Sequence, residues 1–479
     1  MTTKPHVAAR GGTSALSTLI VVVASVFAYK GLESVLSPVV PIIQESLDAT
    51  EAQIAWVLTA VLLTGAVTTP LIGKLADIRD KKTVLLWVLA IIALGVVISG
   101  LSVNVLMLTV GQLLQGIGLG VVPLAFAIIR DTQTEERAKS GNGAVIAFIY
   151  AATAFAMVGS GILVSWLPWR WVFCIPLVLI AIIFVASWKV LPSCPPVHHG
   201  KVDWTGAVVL GASLSVILVA ITEAPTLGWT SMKFGAAVLL GLALLGVFCV
   251  VELRTREPLV DLRVLATRPL AVACLVYVLG GFGVNMMFLA MPMLAQQPAS
   301  TGYGLGATAF TTSLILLPIG LAGAVAAPVT SWLDARIGSR ATLIAAVLTN
   351  GSSFVVLWFA GGSVAVVVIA SILIGASGGV CLTQAMNVVT LLAPADQVGA
   401  FSGLAFVVKA VGGTLGVQLC GSLLSTGSDG GSPAWSSFTN VFIVGIGLTV
   451  LVAASCLLLP RTLGAKAAPV DNKERVAAE

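Results

Sequence analysis

Apolar stretches about 20 residues long, the length that spans a bilayer's hydrocarbon, follow one another along nearly the whole chain. Short charged or Gly/Pro-containing breaks separate them. Inside lipid every backbone polar group must be satisfied internally, which only helices and closed barrels achieve. A barrel strand would alternate apolar and polar residues, and these stretches do not. Apolar residues make up 58% of the 479 and charged residues 9%, too little polar surface for a water-soluble fold. An all-α integral membrane protein is the expected class.

Spans are expected near 16–43, 53–73, 83–102, 105–129, 142–166, 171–191, 206–222, 234–252, 269–294, 307–330, 341–360, 364–392, 398–424 and 438–459, fourteen in all. Lysine and arginine placement sets their sidedness. Lys4 and Arg10 precede span 1, Lys74, Arg79, Lys81 and Lys82 follow span 2, Arg130, Arg137 and Lys139 follow span 4, and Lys189 and Lys201 accompany the end of span 6. Arg254, Arg256, Arg263 and Arg268 follow span 8, Arg336 and Arg340 follow span 10, and Arg461, Lys466, Lys473 and Arg475 form the tail. The intervening loops hold only Arg170 and Lys233. Basic and basic-poor loops alternate, so both termini are expected in the cytoplasm. The net charge of +5 is spent on this pattern and points to no nucleic acid. The first apolar run is far longer than the core of a signal peptide, so it is read as a retained span.

GKLADIRDKK (Gly73 to Lys82) after span 2 is echoed by SWLDARIGSR (Ser331 to Arg340) after span 10. Two six-helix repeats would give an offset of six spans, and the observed offset is eight. Spans 7 and 8 are therefore expected as an insertion between two six-helix halves. The organisation expected is an N-terminal half over 1–195, a two-helix insert with linkers over 196–264, and a C-terminal half with a short tail over 265–479.

Taken together these residues resemble the major facilitator superfamily, and within it the fourteen-span drug:H+ antiporters. The resemblance rests on AWVLTAVLLTGAVTTPLIGKLADIRDKK (Ala55 to Lys82), LLQGIGLG (Leu113 to Gly120), WRWVF (Trp169 to Phe173), DWTG (Asp203 to Gly206), Gly228-Trp229, EPLVDLRVL (Glu257 to Leu265) and GAFSGLAFVVKAVGGTLG (Gly399 to Gly416). It implies export of drug-like or antibiotic-like molecules in exchange for protons. Three positions depart from the family's pattern: Asp80 replaces a usual glycine, Gln112 a usual arginine, and Ala156-Met157 a usual Gly-Pro pair.

Glu33 is the one carboxylate well inside an expected span, and charge at that depth costs several kcal/mol. It is the candidate proton carrier. Lys30 lies three residues earlier on the same helical face. The pair reads either as a structural ion pair that lowers the cost of insertion or as a switch broken by substrate or protonation. Lys409 is the other mid-span charge, a cavity residue or a packing counter-ion. Gln112, Gln115, Asn285, Gln384 and Asn387 are candidate cavity residues, with helix packing as the alternative for each. Asp77, Arg79, Lys81 and Lys82 are expected to form a conformational latch, which the resemblance implies, or to serve as a topology signal alone. Asp77 is expected to accept hydrogen bonds near the start of span 3. Close glycine pairs at Gly116/Gly120, Gly375/Gly379 and Gly412/Gly416 predict tight helix crossings.

Other functional classes lack support. The seven cysteines form no CxxC pair, and His6, His198 and His199 fall outside the spans, so no metal or other cofactor is expected. An embedded enzyme would cluster Asp, His, Ser or Cys in the spans, and a sensor would carry a soluble output domain. No GxxxxGK[ST] motif is present, which leaves ion gradients as the energy source. One proton moving through about 100 mV gives about 2.3 kcal/mol, enough for a neutral cargo gradient of roughly fiftyfold. A monomer in a bacterial cytoplasmic membrane, with a small-molecule substrate and protons as partners, is the expectation; transport of one specific metabolite is the alternative.

Overall fold

The computed structural model describes residues 15–36, 39–49, 51–164, 166–195, 203–228, 230–255, 258–259, 262–265, 267–359, 362–393, 397–425 and 433–458. Lys4, Arg10, Lys201, Arg256, Arg461, Lys466, Lys473 and Arg475 lie outside them. Fourteen of its helices are long and apolar enough to span a membrane. They are α1 (Ala15–Val35), α2 (Glu51–Ile78), α3 (Lys81–Gly100), α4 (Val105–Thr132), α5 (Glu135–Val164), α6 (Trp169–Val190) and α7 (Trp204–Leu227). The second seven are α8 (Met232–Arg254), α9 (Arg268–Gln296), α10 (Ala309–Ile337), α11 (Ser339–Trp358), α12 (Val364–Leu392), α13 (Val398–Ser425) and α14 (Trp435–Cys456). No strand occurs among the described residues.

Two boundaries differ from the sequence expectation in ways that matter. Span 1, expected to reach residue 43, ends at Val35, and a separate short helix, Val40–Ser46, begins with Pro41 in its first turn. Proline fits there because the first helical N–H groups have no partner to lose. Span 2 was expected to end at residue 73, but α2 continues to Ile78, because helical hydrogen bonding outlasts the apolar window. Asp77 consequently sits in the last turn of a helix rather than in a loop.

Packing repeats with the offset of eight. In the first group α1 lies against α5 and α6, α2 against α4, and α3 against α4 and α6; in the second, α9 lies against α13 and α14, α10 against α12, and α11 against α12 and α14. The groups meet along two seams, α2 with α13 and α5 with α10. The extra helices α7 and α8 pack on each other, and α7 also touches both α2 and α13, the two sides of one seam. Only 11% of the apolar window of α8 is buried, so this helix faces lipid.

The three glycine pairs do mark close crossings. A Cβ on Gly412 would stand 2.0 Å from the Val278 carbonyl oxygen of α9, one on Gly375 2.1 Å from that of Ile319 in α10, and one on Gly116 2.5 Å from that of Val61 in α2. Backbones approach there at distances that no larger residue permits.

Candidate transport site

A cavity of about 300 Å³ lies between the two groups, lined from α1, α5, α9, α10, α12 and α13. Its charged residues are Lys30, Glu33 and Lys409; Ser34, Thr153, Tyr150, Asn285 and Ser313 add polar groups, and Ile149, Phe288 and Leu316 are among its apolar walls. Lys30 Nζ donates to Glu33 Oε2 at 2.5 Å, and both side chains remain partly exposed to the cavity. The i, i+3 spacing on α1 places the two heads on one side of the helix. Lys409, from α13, has no ion-pair partner among the described residues, and its charge interacts across the cavity with Lys30 and Glu33. Its stem passes over Gly281 of α9, where a Cβ would stand 2.9 Å from Lys409 Cγ. Asn285, one turn further along α9, donates Nδ2 to the Gly281 carbonyl at 2.8 Å.

At the end of the bundle where α1, α5, α9 and α13 begin, the groups are joined. Asp77 Oδ1 accepts the Gly399 N–H and Oδ2 the Ala400 N–H, each at 3.0 Å. These amides belong to the first turn of α13, whose N–H groups lack helical partners and whose dipole favours an anion. The contact is possible because Gly73 and Gly399 let α2 and α13 approach closely, a Cβ on Gly73 falling 2.3 Å from the Gly399 oxygen. On the other seam Asn142 Nδ2 donates to Asn387 Oδ1 at 3.0 Å, α5 to α12. The Arg130 guanidinium reaches the Ala393 carbonyl at 3.4 Å. Two basic residues of the expected latch have partners of their own, Lys81 pairing with Asp131 at 2.7 Å and Lys82 donating to the Leu191 carbonyl at 2.8 Å, while Arg79 is exposed.

The structure brings Lys30, Glu33, Asn285 and Lys409 together and separates the other expected cavity residues from them. Gln115 Nε2 donates to Ser99 Oγ at 2.8 Å and the Gly95 carbonyl at 3.2 Å, and Gln112 Nε2 approaches Ser99 Oγ at 3.4 Å. Both therefore bind α4 to α3. Gln384 donates to Asp334 Oδ1 at 2.9 Å, which also accepts the Ser339 hydroxyl at 2.5 Å. Asn387 belongs to the sealed end. Asp334, the repeat's second acid, is thus engaged within its own group while Asp77 bridges two. The expectation that Asp77 serves the start of span 3 is likewise corrected, because Asp80 fills that role. Its Oδ2 accepts from the Thr83 N–H and hydroxyl at 3.1 and 2.7 Å. Its Oδ1 accepts from the Ser193 hydroxyl at 3.1 Å and the Cys194 N–H at 2.7 Å.

Sequence reasoning missed Asn142, Tyr150 and Thr153. Each is a single polar residue in an otherwise small or apolar stretch, with no partner nearby in sequence to mark it. Tyr150 fits a slot left by Gly323 and Gly378, whose Cβ atoms would overlap its ring and hydroxyl at 2.6 and 2.1 Å. The departure at Ala156-Met157 leaves α5 continuous from Glu135 to Val164.

A profile of the Major Facilitator Superfamily matches residues 21–417 and, in a second alignment, 273–478. The chain belongs to the major facilitator superfamily. Within it the chain is 28% identical over 407 residues to the multidrug resistance protein Stp of Mycobacterium tuberculosis, covering 83% of this chain and 72% of that one. It is 28% identical over 409 residues to the uridine/deoxyuridine transporter of Lactococcus lactis, covering 82% and 83%. The lincomycin resistance protein LmrB of Listeria monocytogenes shares 26% over 302 residues, 62% of each chain. The human organic anion transporter MFSD10 (TETRAN) superposes with a TM-score of 0.69 over 92% of this chain and 99% of its own at 16% identity, a likeness of fold. As a superfamily member with fourteen spanning helices, the chain is a multi-pass cell-membrane transporter.

Proposed function

We propose that this chain exports drug-like or antibiotic-like small molecules across the cytoplasmic membrane in exchange for protons, by alternating access between its two six-helix halves. The observation that carries the proposal is the Glu33 carboxylate, placed in a cavity between the halves whose one end is closed by polar contacts that can separate. Similarity to the Stp and LmrB resistance proteins supports drug-like cargo.

In this reading the sealed end is cytoplasmic, as the Lys/Arg placement expects, and the structure is the state from which protons enter and cargo leaves. The halves correspond to residues 1–195 and 265–479, with 196–264 as the insert. Protonation of Glu33 releases Lys30 and allows the halves to rock, breaking the Asp77 and Asn142 contacts and opening the cavity inward. Cargo entering from the cytoplasm then displaces the proton. Asn285 and Lys409 supply polar contacts on the C-terminal side. The chain works as a monomer, since both halves of the path lie in one polypeptide.

Cells expressing the chain, loaded with a panel of fluorescent drugs, test the proposal. Energised efflux that stops on adding a protonophore is expected. Efflux unaffected by the protonophore excludes proton coupling. The uridine/deoxyuridine transporter relative favours a second reading, a nucleoside carrier; saturable uridine flux with no drug efflux would select it.

A further inference from the structure

The charges in the cavity do not balance. Glu33 is engaged by Lys30, both on α1, whereas Lys409 enters from α13 in the other half with no acid in ion-pair contact among the described residues, Glu33 acting on it only across the cavity. A smaller cavity of about 40 Å³ within the C-terminal half also reaches Lys409, and none of its described lining residues is acidic. An ammonium at this depth is costly without a counter-ion. Mobile cargo can provide that counter-ion.

A purely anionic cargo fits Lys409 but not proton exchange. Its charge would draw a proton to Glu33, so the two would bind together and travel the same way. A purely cationic cargo competes with the proton at Glu33 but is repelled by Lys409 and Lys30. A cargo with both charges meets both demands: its basic group takes Glu33 in place of Lys30 or a proton, and its acid takes Lys409. Building on the exporter reading, we propose that the cavity recognises amphipathic zwitterions, with the cationic group at Glu33 on α1 and the carboxylate or other acid at Lys409 on α13. The cargo then bridges the two halves, and Ile149, Phe288 and Leu316 offer surface for its apolar body. The other ionisable groups facing Glu33 are Lys30 and Tyr29 from its own helix, Tyr150 from α5 and Lys409 from α13. None is a second carboxylate, so proton and cationic group must compete for one acceptor.

Three dansyl probes on one carbon chain test this: Nε-dansyl-lysine, a zwitterion; dansylcadaverine, the same molecule without its carboxylate; and 6-(dansylamino)hexanoate, the same without its α-amine. Equilibrium binding is measured on the full chain in lipid nanodiscs against empty discs. The wild type is expected to bind dansyl-lysine about tenfold or more tighter than either partner molecule, the effect of one charge-assisted contact. Lys409→Gln should lower dansyl-lysine to the level of dansylcadaverine without weakening dansylcadaverine, and Lys409→Arg should restore it. Equal wild-type affinity for dansyl-lysine and dansylcadaverine overturns the proposal, as does absence of binding by all three. A Lys409→Gln effect within threefold, in protein that stays monodisperse, overturns it too. Vesicle transport of the same probes separates the two claims. Lys409-dependent binding without proton-driven transport contradicts the exporter reading and leaves the zwitterion site standing; dansylcadaverine transport alone does the reverse.

Discussion

Asp77 and Gly399 join α2 to α13: the carboxylate, in the last turn of α2, accepts the Gly399 N–H at 3.0 Å and extends its second oxygen to the Ala400 N–H at the same distance. Asp77→Asn removes the charge and turns one acceptor into a donor facing an N–H. Hydrogen bonds to charged groups contribute about 1.5–3 kcal/mol each, so the closed-to-open ratio of the gate should fall at least tenfold. Expression should persist, transport should drop to a few per cent, and a cysteine at Asn142 should become more reactive to a thiol reagent added from the cytoplasm. Unchanged labelling and transport would reduce Asp77 to a topology signal.

Gly73→Ala addresses the same gate sterically. The added methyl falls 2.3 Å from the Gly399 oxygen, and relieving such overpacking costs about 1–3 kcal/mol. Because the clash exists only where α2 and α13 touch, the variant should favour the inward-open state and show the same rise in Asn142→Cys labelling. Combining it with Asp77→Asn should give less than the sum, since both act on one contact.

Asp80 has a structural part. Burial works to raise its carboxyl pKa, but hydrogen bonds from Thr83, Cys194 and Ser193 outweigh this and hold it below the usual carboxylate range. A depressed folded-state pKa contributes stability that is present above the unfolded value near 3.9 and lost as pH falls through the folded one. The contribution should therefore be constant from pH 5 to 8. Asp80→Ala should destabilise by about 1 kcal/mol through the lost helix cap, read as a lower thermal midpoint, with the transport rate per folded molecule unchanged.

Gln115 and Asn285 should respond differently. Gln115→Leu removes hydrogen bonds to Ser99 and the Gly95 carbonyl between α4 and α3, worth about 0.6 kcal/mol each in a membrane interior, and should lower stability without altering the cargo profile. Asn285→Ala changes the cavity wall and should shift apparent affinities among cargoes. A changed cargo profile in Gln115→Leu would place that residue nearer the path than its bonds to α3 indicate.

How much of this the sequence disclosed follows from where the information resides. Span number, the eight-span offset and the tight glycine crossings were legible because hydropathy, basic loops and small-residue spacing repeat along the chain. Glu33 and Lys30 stood out because charge inside a span is costly, and the structure pairs them in the cavity wall. Gln112, Gln115, Gln384 and Asn387 stood open between cavity and helix packing, and each makes a bond to a neighbouring helix. A neutral amide satisfies a neighbouring helix as readily as a cargo, and only the helix's rotation about its axis decides between them. The partner of Asp77 lies more than three hundred residues away in a turn whose contribution is backbone N–H groups; no side-chain pattern announces such a contact.

The most direct test of the central claim is the steady-state cargo ratio that proteoliposomes reach under an imposed pH gradient, because that ratio reports coupling and does not depend on affinity. For one-for-one exchange with a neutral or zwitterionic cargo and no membrane potential, the wild type should concentrate cargo about tenfold per pH unit. Glu33→Gln should bring it only to equilibrium. An equal uphill ratio in Glu33→Gln would contradict the assignment of proton coupling to Glu33 and with it the exchange mechanism proposed for this cavity.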